Sequence, residues 1–237
     1  MIKNVLRALP ALALSVVPLA TPAAAVPARP ASPVSTAPGQ LASPSAADVP
    51  LSEALSWIST AEEGSRDGYS RTKFKHWNKG LNPTDGCDTR KEVILSEAVE
   101  APEVGPQCAL SGGRWFSEYD QTWVTSYRDL DVDHMVPLAE AWDSGADAWT
   151  DARREAYAND QDAPNSLIAV SARSNRSKAD KDPANWMPVP ADHCKYTVDW
   201  VADKLRWRLT MDEAERQALA HYAAQCPTAT VTYQQAP

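Results

Sequence analysis

Three short runs concentrate the residue types that hydrolytic chemistry uses: D-V-D-H-M-V-P at 131–137, N-S-L-I-A-V at 165–170 and S-N-R-S-K at 174–178. Asp133 supplies a hard carboxylate oxygen and Asn175 a hard amide oxygen, a donor pair suited to Mg²⁺ rather than to a soft metal. His134 can be a neutral imidazole near pH 7, fit to take a proton from water. Lys178 follows Asn175 by three residues, which places both on one face of a helix, where the ammonium could meet a phosphate. A metal, a base and a cation around one point are what hydrolysis of a phosphodiester requires. Two protein ligands would leave the other metal positions to water and phosphate.

These groups need elements that bring them together. Asp129 to His134 alternates acidic and apolar residues, the pattern of a half-buried strand, and Pro137 helps end it. An ideal strand turns Asp133 and His134 to opposite faces, so a shared site requires the strand to end or twist at that pair. Leu167 to Val170 reads as a short buried strand, and Asn175 to Asp182 as a helical turn or two stopped by Pro183. Around them, Lys91 to Val99 is strand-like, and Arg114–Tyr119 with Thr122–Tyr127 forms an aromatic hairpin. Asp151 to Asn159 is helical, and Lys195 to Arg208 spaces its apolar residues as an amphipathic helix. Thr210 and Glu213 form a capping box for a last helix to about Gln225. Strands followed by helices indicate an α+β fold.

The whole chain has 237 residues, 43% of them hydrophobic and 23% charged, enough for one large domain or two small ones. A net charge of −8 argues against non-specific coating of nucleic acid and against adhesion to an acidic membrane. A polyanion would have to meet local basic clusters such as Lys73, Lys75 and Lys79, or Arg173, Arg176, Lys178 and Lys181. Residues 1–25 read as a secretory signal, with Lys3 and Arg7 ahead of a short apolar stretch and Ala23-Ala24-Ala25 for cleavage. Its removal predicts a secreted protein with no membrane association, and a monomer is the expected state. Residues 26–50, rich in Pro, Ala and Ser, read as a disordered tether. The folded domain is expected over 51–226, with a flexible tail at 227–237. Cys87, Cys108, Cys194 and Cys226 are even in number in an oxidising context, so two disulfides are expected. Of three connectivities, Cys87–Cys108 and Cys194–Cys226 close the shortest loops.

The Asp-His pair closing one strand, an asparagine before a second, and Asn-x-x-Lys opening a helix resemble the HNH endonucleases of the ββα-metal class in their His-Asn-Asn form. The wider stretch, from G-C-D-T-R at Cys87 through D-V-D-H-M-V-P-L-A-E-A-W, N-R-S-K-A-D-K-D-P and N-W-M-P to the last cysteine, is similar to secreted actinobacterial HNH-family proteins related to the C-terminal domain of GmrSD-type restriction enzymes. The resemblance implies a ββα-metal (His-Me finger) core with added N-terminal strands and C-terminal helices. It implies Asp133 and Asn175 as metal ligands, His134 as general base, and Asn165 bracing the histidine loop, with Asn159 as the competitor. Asparagine at the last position, where many members have histidine, weakens affinity for zinc and favours Mg²⁺ or Mn²⁺. The substrate implied is DNA, with RNA as an alternative. Arg90 could clamp a phosphate bidentately, with a structural ion pair as the competing role. A non-catalytic secreted module, binding glycan or nucleic acid through the many tryptophans and the basic clusters, is the alternative function.

Overall fold

The computed structural model describes residues 48–237. The expected signal and all but the end of the expected tether lie outside the described residues. Chain order is β1 (Val49–Pro50), α1 (Leu51–Ser56), α2 (Thr89–Ser96), β2 (Glu103–Gly105), β3 (Ala109–Ser111), β4 (Trp115–Ser117), β5 (Thr122–Val124), β6 (Leu130–His134), α3 (Leu138–Asp143), α4 (Asp151–Ala158), β7 (Leu167–Ser171), α5 (Ala172–Lys178), α6 (His193–Trp207), α7 (Glu213–Ala224) and β8 (Thr230–Val231). Among the described residues the strands form four antiparallel pairs: β1 with β8, β2 with β3, β4 with β5, and β6 with β7. Small sheets among several helices make a mixed architecture compatible with α+β.

The β6–β7 ladder lies between two apolar clusters. Its register pairs Val132 with Ala169 and Asp133 with Ile168. Opposed residues share a face. Leu130, Val132, Leu167 and Ala169 therefore pack with Ile94 and Trp115 in the smaller cluster, while Ile168 and Val170 join the larger one with Trp142, Tyr157, Trp200 and Trp207. The strand expected to be half-buried is covered on both sides, and Asp133 is carried inside with it.

Several expectations meet a different structure. Lys91–Val99 does not form a strand; Lys91 to Ser96 belong to α2, whose start the Asp88 side chain caps by accepting the Lys91 N–H at 2.8 Å, and Glu97 to Val99 follow the helix. The cap of α7 is Asp212, which accepts the Glu215 N–H at 2.8 Å, so Asp212 and not Thr210 opens that helix. The helix bearing Asn175 starts earlier, at Ala172, on a Ser171 cap, and ends at Lys178. The tether's last residues, Val49 and Pro50, pair with Val231 and Thr230. Beyond that pairing the expected flexible tail is fastened, Ala236 donating to the Arg206 carbonyl at 3.0 Å and Gln234 accepting from the Arg206 guanidinium at 2.9 Å. The cysteines pair as Cys87–Cys108 and Cys194–Cys226. Among the described residues, no helix is long and apolar enough to cross a membrane.

Candidate active site

β6 ends at His134, and three residues later Pro137 precedes α3. At this corner a cavity of 390 Å³ is lined by Arg71, Val132, Asp133, His134, Pro137, Leu138, Asn175, Arg176, Ala179 and Asp180. The end of the strand resolves the geometric conflict between neighbouring residues: Asp133 and His134 both border the space beyond it. Asn175, forty-odd residues further on, is brought to the same cavity because α5 follows β7 directly.

Asp133 is buried, and its hydrogen bonds fall on one oxygen. Oδ2 accepts from the Tyr119 hydroxyl at 2.7 Å and from Lys178 Nζ. Lys178 is fully buried and donates also to the carbonyls of His134 at 2.9 Å and Met135 at 2.8 Å. Burial pushes the Asp133 carboxyl up and the Lys178 ammonium down, and the charge of each opposes the shift in the other. With three donors engaged inside the core, this lysine has none for a phosphate. The phosphate contact expected of Lys178 is therefore corrected: the side chain neutralises Asp133 and ties down the strand end.

His134 is enclosed by aromatic rings. Trp77 stacks on it at 5.3 Å with an interplanar angle of 19°, Tyr157 lies at 6.3 Å and 22°, and His76 meets it edge-on at 6.3 Å. Nε2 lies 3.0 Å from the carbonyl of Ala158. That residue ends α4, where a carbonyl has no intrahelical partner. A carbonyl only accepts, so the ring holds its proton on Nε2 and leaves Nδ1 as the basic nitrogen. Desolvation pulls the imidazole pKa down to about 3, keeping the ring neutral.

Asn165, expected to brace the histidine loop, makes no bond to it. Asn165 donates to Asp199 at 3.5 Å and borders a separate cavity with Lys195 and Arg206. His134 is opposite Leu167, so Asn165 lies past the end of the ladder, next to α6. Asn159, the competitor for that role, lies nearer the histidine. Its amide donates to the carbonyls of Lys75 at 2.8 Å and Glu155 at 2.7 Å, and its oxygen accepts from the Asn78 N–H at 2.9 Å. These bonds join the end of α4, which holds His134 Nε2, to the segment that stacks on the ring.

Arg90 donates to the Leu130 carbonyl at 2.7 Å, supports the start of β6, and is not among the residues lining the cavity. Asn175 donates through Nδ2 to Asp131 at 3.3 Å, and Arg176 leans on the same carboxylate at 3.5 Å. The sequence reading missed Tyr119, Trp77 and Arg71. The basic run around residue 73 pointed to this segment, but nothing in its spacing pointed to His134.

Among the described residues, two places could hold a cation. Asp133 Oδ1 takes none of the hydrogen bonds made to that carboxylate, and Asn175 keeps its amide oxygen while Nδ2 donates, so two residues lining one cavity each keep a hard oxygen unengaged. Glu63, Glu140 and Asp143 also bring carboxylates within 4.8 Å of one another. There Lys204 pairs with Glu140 at 3.0 Å and Arg66 with Asp143 at 2.5 Å, so protein cations already supply the countercharge.

A family model for the C-terminal domain of GmrSD restriction endonucleases matches residues 89–222. A protein of Arthroderma benhamiae described as an uncharacterized secreted protein is 38% identical over 173 residues, which cover 73% of this chain and 82% of the relative. No solved structure matches the chain.

Proposed function

The chain belongs to the family of the GmrSD restriction endonuclease C-terminal domain, and from that premise we propose that it is a secreted, metal-dependent endonuclease hydrolysing phosphodiester bonds in DNA, with RNA as a second substrate. The observation that carries this proposal is the convergence of Asp133 and His134, at the end of β6, with Asn175 of α5 on one cavity, from two separate parts of the sequence. Two antiparallel strands followed by a helix, in the order β6, β7, α5, match the arrangement of the ββα-metal class and support that assignment. The two disulfides and the secreted relative support an extracellular location.

Asp133 Oδ1 and the Asn175 amide oxygen would hold Mg²⁺ or Mn²⁺, a fit to their hard donor character. Such an ion, when bound, supplies neutralisation of charge on the phosphate oxygens. The protein's own groups do the rest. Nδ1 of His134 takes the proton of the attacking water, while the Ala158 carbonyl holds the Nε2 proton and so the tautomer. Desolvation disfavours the imidazolium in the free site, and an anionic phosphate beside it restores the balance, which couples basicity to substrate. Tyr119 and Lys178 keep Asp133 ionised and oriented.

The test is nicking of supercoiled plasmid with Mg²⁺, with chelator, and with His134→Ala. Cutting that needs the divalent ion and is lost in the substituted protein is expected. Undiminished cutting by His134→Ala would eliminate the base. Nucleic-acid or glycan binding without turnover, indifferent to chelator, would replace the enzyme with a binding module.

A further inference from the structure

The family match begins at residue 89, yet Arg71 lines the cavity and Trp77, six residues on, stacks on His134. Arg71 opens a single 3-10 turn, Arg71–Lys73, capped by Ser70, whose hydroxyl accepts the Thr72 N–H at 3.4 Å. The turn is anchored by Phe74, which is fully buried with edge-on contacts to Trp142 at 6.4 Å and Tyr157 at 6.0 Å. The backbone of Arg71 is thus held to the core, while its side chain is exposed and borders the cavity.

The cations around this cavity differ in what occupies them. Lys178 is bound to Asp133, and Arg176 leans on Asp131. Arg71 makes no ion pair and no side-chain hydrogen bond among the described residues. Arg71 thus presents an unpaired guanidinium to the cavity that His134 and Asp133 also line. A planar fork of donors suits the paired non-bridging oxygens of a phosphodiester.

We propose that Arg71 binds the scissile phosphate, its guanidinium engaging the non-bridging oxygens of the phosphodiester that His134 and Asp133 face. The catalytic unit of this chain then includes a segment upstream of the matched domain. This assignment rests on the nuclease reading and is tested so that the two can fail separately.

The experiment compares wild type, Arg71→Gln, Arg71→Lys and, as a control, Arg128→Gln, which changes an exposed cation outside the cavity that stacks on Tyr127. Plasmid nicking in Mg²⁺ is read alongside binding of a fluorescein-labelled DNA single strand in chelator over a range of salt. Arg71→Gln is expected to lower kcat/KM about ten- to a hundredfold, the loss of a charge-assisted contact. Arg71→Lys should recover part of it. Strand binding should weaken, with a salt slope smaller by about 0.7. Arg128→Gln and the thermal midpoint of Arg71→Gln should match wild type. Wild type that cuts, with Arg71→Gln cutting and binding equally well, overturns the role of Arg71 and leaves the nuclease intact. Wild type that never cuts, but binds the strand in an Arg71-dependent way, overturns the nuclease and keeps the phosphate contact. Wild type that neither binds nor cuts overturns both.

Discussion

Lys178 and Asp133 form an ion pair within the core, the lysine giving its other two protons to the carbonyls of His134 and Met135. A charge on the inner face of a strand buried on both sides needs a partner from the next packed element, and α5 supplies it. The pair sets the corner at which β6 ends and the cavity begins.

Removing one half of that pair should cost more than a surface cation would. Lys178→Met leaves the Asp133 carboxylate unpaired in the core, and a loss of about 3–5 kcal/mol is expected in chemical denaturation. Lys178→Met combined with Asp133→Asn should recover a large part of it. A loss under about 1 kcal/mol in the single variant, the range of an exposed ion pair, would show that the lysine is solvated.

Trp77 holds a backbone φ of 60°, a left-handed conformation uncommon for a bulky residue, while its ring stacks on His134. Trp77→Gly relieves that backbone but removes the ring, so stability and activity should part. The unfolding midpoint is expected to change little, while kcat falls about ten- to a hundredfold as the imidazole loses its orientation. Trp77→Phe should retain most of kcat. Equal kcat in wild type and Trp77→Gly would remove Trp77 as a positioning residue.

Asn175 is expected to contribute a metal ligand through its amide oxygen. Asn175→Ala should raise the Mg²⁺ concentration needed for half-maximal nicking and weaken Mn²⁺ binding in calorimetry. Asn175→His should shift preference towards Mn²⁺ and Zn²⁺, because imidazole is the softer donor. Unchanged Mn²⁺ binding in Asn175→Ala would place the ion elsewhere.

Glu97 accepts the Ala169 N–H on β7 at 2.9 Å, and burial raises its pKa from 4.5 to about 7. A folded-state value above the unfolded one means a stabilising contribution that is complete below pH 4.5 and is lost as pH rises through about 7. Denaturation midpoints across that window should fall with pH in wild type and fall less in Glu97→Gln. Parallel pH profiles for the two proteins would exclude Glu97 as a source of the slope.

The order of the parts was readable along the chain. Alternation in Leu130–His134, the apolar run at Leu167 and the spacing of α6 each report a local periodicity, which a sequence carries in full. Lys91–Val99 misled because its Val-Ile-Leu run suits a strand, while the Asp88 cap that selects a helix lies outside the run. The candidate site was legible in Asp133, His134 and Asn175, which the structure brings to one cavity, and less so in the residues that hold them.

The sequence by itself determined which donors, base and cations were available, and in what order, because side-chain chemistry and local periodicity are properties of neighbouring residues. Tertiary structure alone decided that Lys178 is buried with Asp133, that Asn159 and not Asn165 is bonded to the segment beside the histidine, and that Arg71 and Trp77 reach the same corner. Each of those outcomes depends on which faces close over one another when the ladder is covered on both sides. Desolvation and long-range packing set that, and no spacing within a single segment records it.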